Sequence, residues 1–159
     1  MENDATLTRL YAVFDRYRLG DRVHGCPCCV GEDEECALAT TPLRSLPAPA
    51  ARMYALDAVL TWGTVQDFKH FLPRLLDLAT LDSEGPDPDL LVKRLVHVKW
   101  RAWPREEQAA VDAFLRAWAD RLLRAVPSRI DAPTCLGCLA LAGISIDADV
   151  EGLCSAEDV

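Results

Sequence analysis

The stretch TWGTVQDFKHFLPRLLDL, Thr61 to Leu78, decides the fold class of this chain. Its apolar residues Phe68, Phe71, Leu72, Leu75 and Leu76, with Ala79 just beyond, recur three and four apart. That spacing lines one face of an α-helix and does not fit the period-two alternation of a half-buried strand. The start of the helix is equally marked. Gly63 suits the left-handed residue that closes a preceding helix, while Thr64 and Asp67 supply an N-cap and an acid at the third helical position. A stop and a start so close together predict a tight helix–helix hairpin. Pro73 falls inside the stripe, which resumes at Leu75 without a change of phase. The helix, about Val65 to Thr80, is therefore expected to run through Pro73, bent, with the Lys69 carbonyl deprived of its amide partner.

Outward from this segment the same period recurs. Leu7, Leu10, Tyr11, Phe14 and Tyr17 share a face of a first helix that Gly20 can end. Pro47 to Trp62 reads as a helix with Met53, Leu56 and Leu60 on one side. Asp87-Pro88 is an N-cap followed by proline at the first helical position, opening a helix that runs to about Ala102. Pro104 starts another, striped by Val111, Phe114, Leu115, Trp118, Leu122 and Ala125 and ended by Pro127. Asp131-Ala-Pro opens a helix that Gly143 closes, and a short acidic tail helix is read from Asp147. No segment sustains period two. The expectation is one all-α domain over residues 1–159, with six or seven helices mostly in antiparallel pairs. Two connections stand out: a cysteine-containing loop region at 20–46 and an acidic Pro/Gly loop at 81–88.

The composition excludes several functions. A formal net charge of −8 argues against nucleic acid as a partner, since that affinity rests on clustered Lys and Arg. No run of apolar residues is long enough to span a membrane, and the opening MENDATLTRL has no apolar signal-peptide core. A cytoplasmic location is expected. There, seven cysteines are expected as thiols or metal ligands rather than structural disulfides.

Four of those cysteines and a histidine fall within RVHGCPCCVGEDEEC, Arg22 to Cys36. Two thiolates three residues apart in a tight turn, Cys26 and Cys29, can face one ion, and zinc takes four such ligands. Gly25 admits the chain to the turn, Pro27 restricts it, and Gly31 releases it toward the acids that begin the next helix. The other two ligands are expected first from His24 and Cys36, then from His70, and last from Cys135 and Cys138. The TCLGC pair reads better as buried helix, because cysteine is among the most buried residue types without any metal. C-P-x-C also resembles the active-site turn of glutaredoxin-like proteins, whose first cysteine is activated at a helix start. Those proteins present it after a strand. Here a helix and a glycine-containing loop precede it, and the acids Glu32 to Glu35 would raise a nearby thiol's pKa.

Other constellations are weaker. Asp67, His70 and Arg74 share a helical face, but no nucleophile stands at a recognisable spacing, so no catalytic residue is assigned. Lys93, Arg94, His97 and Arg101 form a basic stripe that the acids of REEQAAVD could neutralise or an acidic partner could meet. Trp100 and Trp103 bracket a turn and are expected to plug a helix junction.

Taken together, CPCC, TPLRSL, TWG and DFKHFLPRLLDL resemble an uncharacterised family of small bacterial proteins that share a C-P-x-C turn and an H-F-L-P-R helix. The resemblance spans Cys26 to Leu78. It implies a bacterial origin and makes Cys26, Cys29 and His70 the positions to watch, and it carries no assigned activity. The function expected from sequence is a non-enzymatic protein that binds another protein, zinc-stabilised through Cys26 and Cys29. The alternative is a thiol- or metal-dependent enzyme, redox in type, using the same cysteines.

Overall fold

A computed structural model describes residues 2–80, 84–124 and 132–144 of the chain. Among the described residues the order is α1 (Glu2–Phe14), α2 (Glu32–Thr40), α3 (Ala48–Asp57), α4 (Val65–Ala79), α5 (Pro88–His97), α6 (Arg105–Arg124) and α7 (Ala132–Leu141), with short 3₁₀ turns at Leu43–Ser45 and Trp100–Ala102. The fold is all-α, as the periodicity predicts.

Helix α4 is the axis of the core. Thr64 accepts the Asp67 amide at 3.2 Å while the Asp67 carboxylate accepts the Thr64 amide at 2.7 Å, so two orphan donors of the helix start are satisfied reciprocally. Phe68, Phe71, Leu72 and Leu75 are fully buried, and Leu76 and Ala79 nearly so. The helix continues through Pro73, as expected. An interior proline costs about 3 kcal/mol. Each fully buried Phe or Leu contributes about 1.5–3 kcal/mol, so the stripe outweighs the proline.

The second predicted helix ends early. α3 stops at Asp57, not Trp62, because the Asp57 carbonyl collects the amides of Leu60, Thr61 and Trp62 at 3.0–3.1 Å and Val59 turns at φ 60°. Its inward face also differs. Ala51, Tyr54, Ala55 and Ala58 are buried, whereas Met53, Leu56 and Leu60 are about half exposed, at 54%, 47% and 52%. The alanines let α3 approach α4, and Tyr54 fills the space between them, its ring 4.7 Å from Phe71 and 5.5 Å from Trp62.

Two further boundaries move. α1 ends at Phe14, ahead of Gly20, while α2 forms at the acids after Gly31, within the 20–46 span. α5 ends at His97 because Lys99 turns the chain at φ 52° and Trp100–Ala102 follows as a single 3₁₀ turn. Trp100 and Trp103 do plug the junction: both are buried, and Trp103 meets Phe14 edge-on at 6.1 Å. The α6 stripe is buried at Val111, Phe114, Leu115 and Trp118. The Leu122 side chain, Ala125, Pro127, Asp131, the predicted tail helix from Asp147 and part of the 81–88 loop lie outside the described residues. The basic stripe is dispersed: Arg101 pairs with Asp112 at 3.0 Å, Lys93 with Asp89, and Arg94 donates to the carbonyls of Ala55 and Leu56.

One polar cluster sits in the core. The Lys69 ammonium donates to the Glu107 carboxylate at 2.7 Å and to the Tyr17 hydroxyl at 3.0 Å, and that hydroxyl donates to Glu107 at 2.5 Å. The same ammonium lies 4.2 Å from the centre of the Trp103 ring. Glu107 is wholly buried and Lys69 nearly so, which ties α4 to α6 and to the segment leaving α1. Every donor and acceptor is paired, the condition under which a buried charge is tolerated.

Gly63 does not close α3, whose C-cap is Ala58, and serves instead the loop that leads into α4. Its φ is +76°, and a Cβ there would approach Val23, the Tyr54 hydroxyl and Asp67 at 3.1–3.3 Å. Gly63→Ala should therefore destabilise the fold by about 1–2 kcal/mol from the left-handed backbone alone. Urea unfolding measures this, and an unchanged midpoint would show that the turn relaxes to another conformation.

Candidate functional site

The cysteine turn is held by the loop that opens α4. Cys26 donates its amide to the Thr61 carbonyl at 2.6 Å, Gly63 donates to the His24 carbonyl at 2.8 Å, and the Trp62 indole donates to the Val23 carbonyl at 2.9 Å. Gly25 and Trp62 form an isolated antiparallel bridge. From the other side Glu35, a buried carboxylate on α2, accepts the Gly25 amide at 2.6 Å. A Cβ on Gly25 would lie 2.7 Å from the Val30 side chain, so glycine is required where the chain enters the turn. CPCC and TWG, far apart in sequence, are two sides of one joint.

Within the turn the amides of Cys29 and Val30 both donate to the Cys26 carbonyl, at 2.8 and 3.0 Å. This is a single hydrogen-bonded turn opened by Cys26, with Pro27 at its second position, where proline's fixed φ suits the bend. Hydrogen bonding by the Cys28 backbone N–H and the Cys29 thiol lowers the Cys26 thiol from its ordinary value. Cys29 is pushed the other way, because its S–H is engaged by Cys26 and an anion there would face the Cys26 sulfur. The raising effect expected from Glu32 to Glu35 is not among the causes acting on Cys26 or Cys29, where contacts within the turn and, for Cys29, Asp57 act instead.

The remaining predicted ligands are placed as follows. Cys28 and Cys29 are exposed, and Cys26 and Cys36 are half-buried. The His24 side chain is 84% exposed, with Nδ1 3.9 Å from the Glu35 carboxylate. His70 is elsewhere engaged, its Nδ1 2.8 Å from the Tyr17 carbonyl. Cys138 is buried on α7, consistent with the core reading of TCLGC, and the Cys135 side chain lies outside the described residues. Asp67 and Arg74 do not join His70, since Asp67 caps α4 and Arg74 pairs with Asp77 at 2.9 Å. Among the described residues no three His, Cys, Asp or Glu side chains gather closely enough to hold a metal ion.

No family model, curated protein or solved structure matches this chain. Among the described residues no helix is long and apolar enough to cross a membrane.

Proposed function

We propose that the protein exchanges disulfides with a partner protein through the Cys26–Cys29 pair, carried on a rigid helical scaffold. The observation that supports this is the turn itself: the Cys29 and Val30 amides close onto the Cys26 carbonyl, which holds both cysteines on one tight bend, with the Cys26 thiol lowered and the Cys29 thiol raised by their mutual contact. In the forward direction the Cys26 thiolate attacks one sulfur of the partner's disulfide, that bond breaks, and the leaving sulfur takes a proton from water. Cys29 then loses its proton, attacks the Cys26 sulfur and releases the partner's second thiol. Two electrons and two protons pass from the dithiol to the partner, and a thiol reductant regenerates the pair. Cys29 is exposed and Cys26 half-buried, which suits a macromolecular partner that meets the turn at the surface.

The same convergence of two sulfurs supports a second reading, a zinc-stabilised turn in a non-enzymatic binding protein, in which Cys26 and Cys29 supply half a tetrahedral site and His24 and Cys36 would complete it. One experiment separates the two. Protein purified without chelator is analysed for zinc, then treated with hydroxyethyl disulfide and mapped by mass spectrometry under non-reducing conditions. The redox reading expects metal-free protein that forms a Cys26–Cys29 disulfide, and a stable mixed disulfide on Cys26 in the Cys29→Ser variant. Stoichiometric zinc that disappears in a Cys26→Ser, Cys29→Ser variant would overturn it in favour of the zinc-stabilised turn.

A further inference from the structure

TPLRSL and HFLPR, two of the motifs singled out in the sequence, take no part in the cysteine joint. They meet elsewhere. Leu43 and Arg44 from the first, with His70 and Pro73 from the second, line a groove against α1 whose volume is about 770 Å³. We propose that this groove binds a small organic carboxylate, with the anion on the Arg44 guanidinium and the apolar body against Leu43, Ala12 and Pro73.

Volume, charge and hydrogen bonding each support it. Small-molecule sites occupy about 300–1,000 Å³, mostly apolar with a few placed polar groups. The Arg44 guanidinium carbon lies over the Tyr11 ring, 3.7 Å from its centre, and no carboxylate among the described residues forms an ion pair with it. A stacked guanidinium has one face covered and its N–H edge free, and that edge matches a carboxylate bidentately. The groove's other charges cancel: Arg18 and Asp15 are paired at 2.9 Å, so Arg44 sets a net charge that suits a monoanion rather than a phosphate dianion. His70 supplies the second polar contact. With Nδ1 donating to the Tyr17 carbonyl, Nε2 is the ring nitrogen left for a ligand. Tyr17 is itself fixed through its hydroxyl to Glu107, and His70 stands edge-on to Phe71 at 4.9 Å, so the imidazole is held before any ligand arrives.

The site is independent of the thiol chemistry and is tested without it. Benzoate and octanoate are titrated at millimolar concentrations while the His70 imidazole and the Leu43 and Arg44 amides are followed by NMR, with inorganic phosphate in parallel. Saturable shifts at these three residues are expected, together with a loss of about tenfold or more in affinity for Arg44→Gln, which removes an exposed side chain and leaves the fold intact. Unsaturable shifts, affinity unchanged in Arg44→Gln, or phosphate binding as tightly as benzoate would each overturn the proposal.

Discussion

Glu107→Ala should cost about 3–5 kcal/mol of folding free energy, more than any other single substitution considered for this chain. The substitution removes the carboxylate from the Lys69–Glu107–Tyr17 cluster and leaves a buried ammonium and a partly buried phenol hydroxyl without their acceptor. The lost attraction is the smaller part of the effect. Most of the cost is desolvation of a charge that no longer has a counter-ion, and the Trp103 ring 4.2 Å away offsets only a part of it. A second variant isolates that cause. Lys69→Met, Glu107→Leu and Tyr17→Phe together remove every polar group of the cluster at similar volume, and should be markedly more stable than Glu107→Ala. Guanidinium unfolding of the two variants decides the matter. A loss below about 1 kcal/mol for Glu107→Ala would show the pair behaving as a solvated surface bridge.

This cluster also marks how far the sequence can be read. The α4 helix was legible because its cap and its stripe are local signals, the stripe being carried by large apolar residues. Lys69 and Glu107 were missed because charged residues are counted as solvent-facing, yet both occupy stripe positions. Lys69 precedes Leu72 by three and Leu76 by seven, and Glu107 precedes Val111 by four and Phe114 by seven. Opposite charges on two buried stripes are a readable signal of a core ion pair. The orientation of α3 failed for the converse reason. Its buried face is Ala51, Tyr54, Ala55 and Ala58, and alanine, though it permits close helix approach, contributes little to a hydrophobic period. The joint between CPCC and TWG leaves no periodic trace, because it is made by backbone bonds between irregular segments. The two cysteines of the candidate site were therefore identified from spacing, while what orients and activates them was not.

That activation gives the second expectation: iodoacetamide near neutral pH should label Cys26 first, and most of the first equivalent should fall there. Each unit by which a thiol's pKa falls raises the thiolate fraction about tenfold below that pKa, while intrinsic nucleophilicity drops only about threefold, so the more acidic thiol reacts faster. Cys26 is held below the ordinary thiol range by the Cys28 N–H and the Cys29 S–H, and Cys29 is raised by its bond to Cys26. Cys29→Ser keeps the Cys28 amide and replaces one donor with another, so Cys26 should remain the faster thiol. Cys26→Ser removes the neighbouring sulfur that raises Cys29, whose labelling should then accelerate. Stability carries the same signature with opposite signs. The stabilising contribution of Cys26 is fully present above its unfolded pKa and fades as pH falls through the lower folded value. That of Cys29 is fully present below its unfolded pKa and fades as pH rises through the higher folded value. Between the two folded pKa values Cys26 is charged and Cys29 neutral, the state disulfide exchange requires. Peptide mapping of partially alkylated protein across this range reads the order directly. Labelling of Cys29 ahead of Cys26 would remove the asymmetry on which the exchange mechanism rests.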